Sequence, residues 1–273
     1  MAFSADRSLL APLAALCDLA ARAILTHYHV AGAIPQQAKS DNSPLTAADL
    51  ESHATLLQGL AGFELPVLSE ESPAKWKQFE RRREWSAYWL VDPLDGTREF
   101  LDRNGEFTIN IALVEQGRPS FGMIAIPAAG ELYAGGAGLG AWRREEGAWL
   151  PINCRSLTPG QPVAVLSSRR HRDPLLQACL DKVAQHPGGM RRDNVGSAVK
   201  FCRLAEGVAD FYPRFAPCCE WDTAAGQALL EGAGGAVLET SGQPLRYNQR
   251  ESLLSPHFLA VADPGASLWQ QFS

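Results

Sequence analysis

Three short segments concentrate carboxylates where a folded chain normally avoids them. Asp92 and Asp95 lie in Asp92-Pro93-Leu94-Asp95-Gly96-Thr97, directly after the apolar run Trp89-Leu90-Val91. Two such charges at the end of a buried strand repel strongly unless something neutralises them. A hard divalent cation with oxygen ligands removes that cost. Pro93 stiffens the turn, and Gly96 allows the backbone to approach a ligand closely. If Gly96 and Thr97 open a helix, their amides face outward and suit a phosphate. Glu70-Glu71 follows a second apolar stretch at 65–68, and Asp222 opens the small-residue run Trp221-Asp222-Thr223-Ala224-Ala225-Gly226. Each segment also has a plain structural explanation. Asp95 or Asp222 can be a helix cap, and Glu70-Glu71 a charged strand end. Capping does not account for Asp92, which sits against the apolar run.

These segments need strands and helices to bring them together. Apolar residues at 9, 13, 16, 20 and 24 predict an amphipathic first helix. A polar loop at 36–44 precedes a helical pattern at 46–60, and a short strand at 64–68 runs into Glu70-Glu71. The charged segment 75–84 predicts an exposed helix or loop, with Arg81, Arg82 and Arg83 as a solvated face. Strands are predicted at 88–91, 107–114 and 120–126 and around 140–142 and 148–152, with a glycine-rich turn at 135–140. From Val163 the pattern alternates. Strands at 163–167, 236–239 and 258–262 intersperse with helices at 174–186, 197–207 and 222–233, the signature of an α/β unit. The expected division is a half comprising 1–155 and a half comprising 156–273, with Gln161-Pro162 near the join.

Composition narrows the function classes. A net charge of -5 and a pI near 5.7 argue against a nucleic-acid partner. They do not oppose a phosphorylated small molecule, because a bound cation reverses the local charge. The six cysteines form no Cys-x-x-Cys pair, which suggests reduced thiols in a cytoplasmic protein. Asp18 and Arg22 interrupt the first helix, and no stretch is expected to supply the roughly 20 apolar residues of an integral membrane segment.

The order and spacing of Ser69-Glu70-Glu71, Asp92-Pro93-Leu94-Asp95-Gly96-Thr97 and Trp221-Asp222-Thr223-Ala224-Ala225-Gly226 resemble the inositol monophosphatase superfamily. Lys39-x-Asp41-x-Ser43-Pro44-x-Thr46-x-x-Asp49 is similar to the same family, so the likeness spans about 39–262. Within it, Arg103-Asn104-Gly105-Glu106-Phe107-Thr108-Ile109-Asn110, Ser167-Ser168-Arg169-Arg170-His171, Lys200-Phe201-Cys202 and Tyr212-Pro213-Arg214-Phe215 resemble the bacterial 3′(2′),5′-bisphosphate nucleotidases of sulfate assimilation. Two departures are Cys218-Cys219-Glu220 ahead of Trp221, and Ala198 in place of a small polar residue.

The resemblance implies an α/β fold built as a layered α-β-α-β-α sandwich. It implies two or three Mg2+ ions held by Glu70, Asp92, the Leu94 carbonyl, Asp95 and Asp222, with Glu71 at a weaker third ion. Thr97, paired with Asp49, would orient or deprotonate the attacking water beside Glu70. Gly96, Thr97, Ser168, Lys200, Arg214 and Asp222 would contact the substrate, Arg214 gripping a second phosphate and Lys200 acting as a point charge. The implied reaction is hydrolysis of adenosine 3′,5′-bisphosphate to AMP, with 3′-phosphoadenylyl sulfate as a second substrate and lithium as an inhibitor. The implied place is the cytoplasm, where relatives of this type also show loose contact with the inner membrane.

Three alternatives stand beside this reading. An inositol monophosphatase shares the metals without the bisphosphate grip. A phosphatase of the haloacid dehalogenase type needs Asp-x-Asp, whereas the spacing here is Asp-x-x-Asp. A non-catalytic sensor of a phosphorylated ligand would lose a metal carboxylate, and all of them are present.

Overall fold

The computed structural model describes residues 5–39, 43–169 and 173–272. The chain opens with α1 (Leu10–Tyr28), whose Leu13, Leu16, Cys17, Ala20 and Ile24 are buried at the expected helical spacing. Contrary to the sequence expectation, Arg7–Tyr28 is long and apolar enough to cross a bilayer, because its many leucines and alanines outweigh its few charges. In the fold its apolar face packs on α2 (Ala47–Leu60) and on the first sheet. Between the two helices, the expected loop contains a short antiparallel hairpin of β1 (Gln36–Ala38) and β2 (Pro44–Thr46).

The first sheet has the order β3 (Val67–Ser69), β4 (Ala87–Asp95), β5 (Thr108–Glu115), β6 (Arg118–Ile126), β7 (Glu131–Gly136), β8 (Gly140–Glu145) and β9 (Ala148–Pro151). Only the β3–β4 pair is parallel. Two short helices, α3 (Ala74–Lys77) and α4 (Phe79–Arg82), cross from β3 to β4, and α5 (Thr97–Leu101) follows β4. The second sheet contains β10 (Val163–Ser167), β11 (Met190–Asn194), β12 (Phe211–Arg214), β13 (Ala236–Glu239) and β14 (Phe258–Val261), in the order β11-β10-β12-β14-β13. Its helices are α6 (Pro174–Ala184), α7 (Val199–Ala205) and α8 (Glu220–Gly232).

Side-chain alternation along each strand divides the interior into layers. Trp89 and Val91 of β4 point with Ile109, Ile111 and Met123 toward α1 and α2. Tyr88 and Leu90 point the other way, with Ala112 and Ile124, into a core shared with α7, α8 and the second sheet. The far face of that sheet, through Val163, Val165 and Val261, covers α6 and Trp269. The result is the α-β-α-β-α order. The middle helix layer approaches β6 closely: a Cβ added at Gly122 would lie 2.3 Å from the Ala225 carbonyl of α8.

Four local expectations change. Gly135 and Gly136 belong to β7 rather than a turn; a Cβ at Gly136 would lie 2.2 Å from the Ser120 carbonyl, so close strand packing excludes a side chain there. β11 and β12 were not legible, since β11 reads Met-Arg-Arg-Asp-Asn and β12 carries Pro213. Arg81 and Arg83 are exposed as expected, but Arg82 is fully buried. Its guanidinium donates to Asn248 Oδ1 at 2.6 Å and to the Arg250 carbonyl at 2.9 Å, and also reaches the Glu251 carbonyl. Arg82 therefore ties α4 to a segment remote in sequence.

Candidate active site

β4 delivers the central carboxylates through a break in its pairing. Asp92 lies opposite Asn110 and Asp95 opposite Thr108, with a register shift between them. That bulge gathers Pro93 and Leu94 into a kink, which Ser52 anchors by donating to the Pro93 carbonyl at 2.7 Å. The parallel β3 ladder continues one residue further, with the Glu70 amide donating to the Val91 carbonyl at 3.1 Å. Glu70 is thereby placed beside Asp92. Asp222 comes from the other half of the sequence, at the third residue of α8, where Oδ2 accepts from the Cys219 amide at 3.0 Å. The N-cap of α8 is thus Cys219, and Asp222 is the N3 partner of a capping box rather than the N-cap expected for it. The same oxygen accepts from Cys218 Sγ at 3.3 Å.

One carboxylate oxygen each from Asp92, Asp95 and Asp222 lies within 4.8 Å of the others. Burial, with the charges of Glu70, Asp95 and Asp222 added, pushes the Asp92 carboxyl well above its usual range. Burial and Asp222 push Asp95 up to about 7, even though Lys200 and the Ala198 amide favour its charged form. Burial and Glu70 raise Asp222. An all-oxygen donor set whose members repel one another fits a hard divalent ion. The nearby Lys39 does not relieve the trio. Its Nζ lies 2.6 Å from Glu70 Oε1 and also contacts Glu71. Glu71 is half-buried, and that burial raises its pKa. The Leu94 carbonyl faces Thr97 Oγ1 at 3.4 Å.

Thr97 Oγ1 also donates to Asp49 Oδ1 at 3.2 Å. Asp49 is fully buried, which raises its pKa, and its other oxygen accepts from the Thr46 amide at 2.8 Å and the Thr46 hydroxyl at 2.6 Å. Gly96 has φ 86°, and a Cβ there would lie 3.0 Å from Ser197 Cβ. Glycine thus meets both the left-handed conformation and the close approach.

Asp95, Gly96, Thr97, Ser168, Lys200, Arg214 and Asp222 line one cavity of about 450 Å³. Lys200 is buried, with Nζ donating to the Ser197 carbonyl at 2.7 Å and the Val195 carbonyl at 3.1 Å. Arg214 donates to the Ala216 carbonyl at 3.2 Å and the Pro217 carbonyl at 2.8 Å. Glu220 does not hold Arg214; it accepts from the Asn248 amide at 3.0 Å, and Arg82 and Arg250 are the cations that favour its charged form. Arg169 is engaged by Glu106, with 2.8 Å between Nη2 and Oε1. Asp41, Arg170 and His171 lie outside the described residues.

Several site neighbours had no role in the sequence reading. The Ala198 amide donates to Asp95 Oδ2 at 2.7 Å, so the backbone serves where a polar side chain was expected. Ser197 Oγ donates to Thr108 Oγ1 at 3.1 Å. Lys77, expected on an exposed segment, donates to the Glu70 carbonyl and lies 5.0 Å over the Trp221 ring. Lys39 stood in a recognisable motif, but only the fold reveals its two carboxylate partners.

The inositol monophosphatase family model matches residues 6–267. The 3′(2′),5′-bisphosphate nucleotidase CysQ of Escherichia coli O157:H7 is 44% identical over 248 residues, covering 89% of this chain and 96% of that protein. The crystal structure of CysQ from Bacteroides thetaiotaomicron, a bacterial member of the inositol monophosphatase family, is similar with TM-score 0.81 and 36% identity, covering 94% of this chain and 97% of that one. An inositol monophosphatase from Zymomonas mobilis shares the fold, with TM-score 0.76 and 24% identity over 99% of this chain and 98% of that one. The order of carboxylates along the chain, the convergence of Asp92, Asp95 and Asp222 and these likenesses agree: the chain belongs to the inositol monophosphatase family.

Proposed function

We propose that the protein is a magnesium-dependent phosphatase that hydrolyses adenosine 3′,5′-bisphosphate to AMP and phosphate, with 3′-phosphoadenylyl sulfate as a second substrate. The observation that carries the chemistry is the convergence of Asp92, Asp95 and Asp222, the latter two lining the cavity. The choice of substrate is supported by the identity with the bisphosphate nucleotidase CysQ over nearly the full length of both chains.

Glu70, Asp92, the Leu94 carbonyl, Asp95 and Asp222 would hold two Mg2+ ions, and Glu71 a weaker third. When bound, the ions supply Lewis acidity at the phosphoryl oxygens and acidify water. The chain itself orients the reactants. The Gly96 and Thr97 amides hold phosphate oxygens. Thr97 Oγ1 accepts a proton from the attacking water as its own proton passes to Asp49, along the hydrogen bond already present. Asp49 is suited to receive it because burial disfavours its charge. Ser168, Lys200 and Arg214 give the cavity its polar and cationic wall. Most ion ligands thus belong to the half comprising 1–155, and Asp222 with this wall to 156–273. Lithium competes for a magnesium position, and the unpaired cysteines suit the cytoplasm.

Phosphate release from adenosine 3′,5′-bisphosphate, 3′-phosphoadenylyl sulfate and inositol 1-phosphate, with magnesium and then with a chelator, tests the proposal. Magnesium-dependent preference for the nucleotides is expected. Preference for inositol 1-phosphate would overturn the substrate assignment, and release unaffected by chelation would overturn the metal assignment.

A further inference from the structure

Each of the three clustered carboxylates has one oxygen engaged from the protein side. Asp92 Oδ1 accepts from the Leu94 amide at 3.1 Å. Asp222 Oδ2 accepts from the Cys219 amide at 3.0 Å and from Cys218 Sγ at 3.3 Å. Asp95 Oδ2 accepts from the Ala198 amide at 2.7 Å, and Thr108 Oγ1 is a second neighbour at 3.4 Å. An oxygen held in this way fixes the carboxylate and leaves its twin available. Carboxylates that ligate a metal are themselves held by hydrogen bonds of this kind.

Thr108 is fully buried on β5, opposite Asp95, behind the cavity wall. Its hydroxyl has one proton and two acceptors in reach, Asp95 Oδ2 and, at 3.0 Å, Asn110 Oδ1. Its oxygen accepts from Ser197 Oγ at 3.1 Å. Asn110 is buried opposite Asp92, and its Nδ2 has no hydrogen-bond partner among the described residues. A buried donor left unmet is costly. Turning the planar amide by 180° brings Nδ2 onto Thr108 Oγ1 and releases the Thr108 proton to Asp95. The amide oxygen then takes the unmet place, so the count rises by one hydrogen bond. The added bond goes to a carboxylate, and such bonds are stronger than those between neutral groups.

We propose that Thr108 is a positioning residue for magnesium. Its hydroxyl, backed by Asn110 and Ser197, joins the Ala198 amide on Asp95 Oδ2 and leaves Oδ1 to ligate the ion. This inference rests on the reading of the acidic cluster as a magnesium site. Thr108 acts only through Asp95.

The test titrates chelator-treated wild type, Thr108→Val, Thr108→Ala and Thr108→Ser with magnesium chloride by calorimetry. Phosphate release against magnesium concentration is the second readout. Thr108→Val keeps the shape of the side chain and loses the hydroxyl. Its magnesium Kd and half-saturating magnesium concentration rise on the order of 10- to 100-fold. Its kcat at saturating magnesium falls far less. Thr108→Ala shows the same loss of affinity and carries the comparison if the valine variant does not fold. Thr108→Ser, which keeps the hydroxyl, recovers most of the affinity. A lowered Tm with an unchanged magnesium Kd would make Thr108 a packing residue and overturn the assignment. Equal weakening in Thr108→Ser would overturn it too. In both cases magnesium binding by wild type leaves the metal reading standing. If wild type binds no magnesium, that reading fails and the assignment with it.

Discussion

Asp49 and Thr97 stand 48 positions apart, yet the Thr97 hydroxyl donates to the Asp49 carboxylate at 3.2 Å. The same carboxylate closes a capping box with Thr46 at the start of α2. One buried side chain thus fixes a helix end and holds the hydroxyl beside the carboxylate cluster. The two jobs separate by mutation. Thr97→Ala should lower kcat by about 10²–10⁴-fold with little change in KM, and Thr97→Ser should retain most activity. Thr46→Ala should cost ~1 kcal/mol in urea unfolding with turnover largely retained. Equal kcat losses in Thr97→Ala and Thr46→Ala would mean that the hydroxyl of Thr97 has no special part.

Asp95 is destabilising for the ion-free fold, because burial and Asp222 oppose its charge. Asp95→Asn should reduce phosphate release on the order of 10³-fold or more. In the presence of a chelator it should raise Tm by ~2–4 °C, the effect of about 1 kcal/mol in a chain of this size. Magnesium should raise the wild-type Tm and leave that of Asp95→Asn nearly unmoved. Thermal scans with and without magnesium check both signs.

Arg82 should separate sharply from its neighbours. Its guanidinium is fully buried between Asn248 and three backbone carbonyls, of Lys77, Arg250 and Glu251, so Arg82→Met strands four acceptors. A loss of roughly 2–5 kcal/mol is expected in urea unfolding. The exposed Arg81→Ala and Arg83→Ala should each fall within about 0.5 kcal/mol of wild type.

The close contact of α8 with β6 has a similar test. Gly122→Ala places a methyl against the Ala225 backbone rather than against a flexible side chain. It should destabilise by roughly 1–3 kcal/mol. Because Asp222 rides on α8, the magnesium concentration at half-maximal activity should rise as well.

His53 supplies a pH dependence. Burial and the nearby Lys77 lower its pKa below 6.5, and its Nδ1 hydrogen-bonds Ser69 Oγ at 2.9 Å. In this case the unfolded chain takes up the proton first on acidification. The contribution to stability is complete above pH 6.5 and is lost as pH falls through the lower, folded value. His53→Asn should therefore flatten Tm between pH 7 and pH 5, measured with a chelator present. An unchanged slope would assign the acid sensitivity to other groups.

The sequence by itself determined the carboxylates and the helices that matter most. Asp92 and Asp95 after Trp89-Leu90-Val91, and Asp222 at the head of a small-residue run, are local patterns: charge beside apolar strand, small residues where a helix packs closely. Apolar periodicity marked α1 and α2, whose buried faces recur at helical spacing, whereas α8 is buried almost all round and was marked by its small residues. Other features depend on residues far apart in the chain. β11 and β12 form because neighbouring strands complete their hydrogen bonds, although Arg191, Arg192 and Pro213 give no strand signal. Arg82 sits in a run of three arginines that reads as a solvated face, and only acceptors about 166 residues away justify its burial. Lys200 and Arg214 were legible as cations, while the carbonyls that engage them are set by backbone geometry. Local pattern fixes which groups carry charge; tertiary packing decides which of those charges are already satisfied, because a partner's distance in space is not written in its distance along the chain.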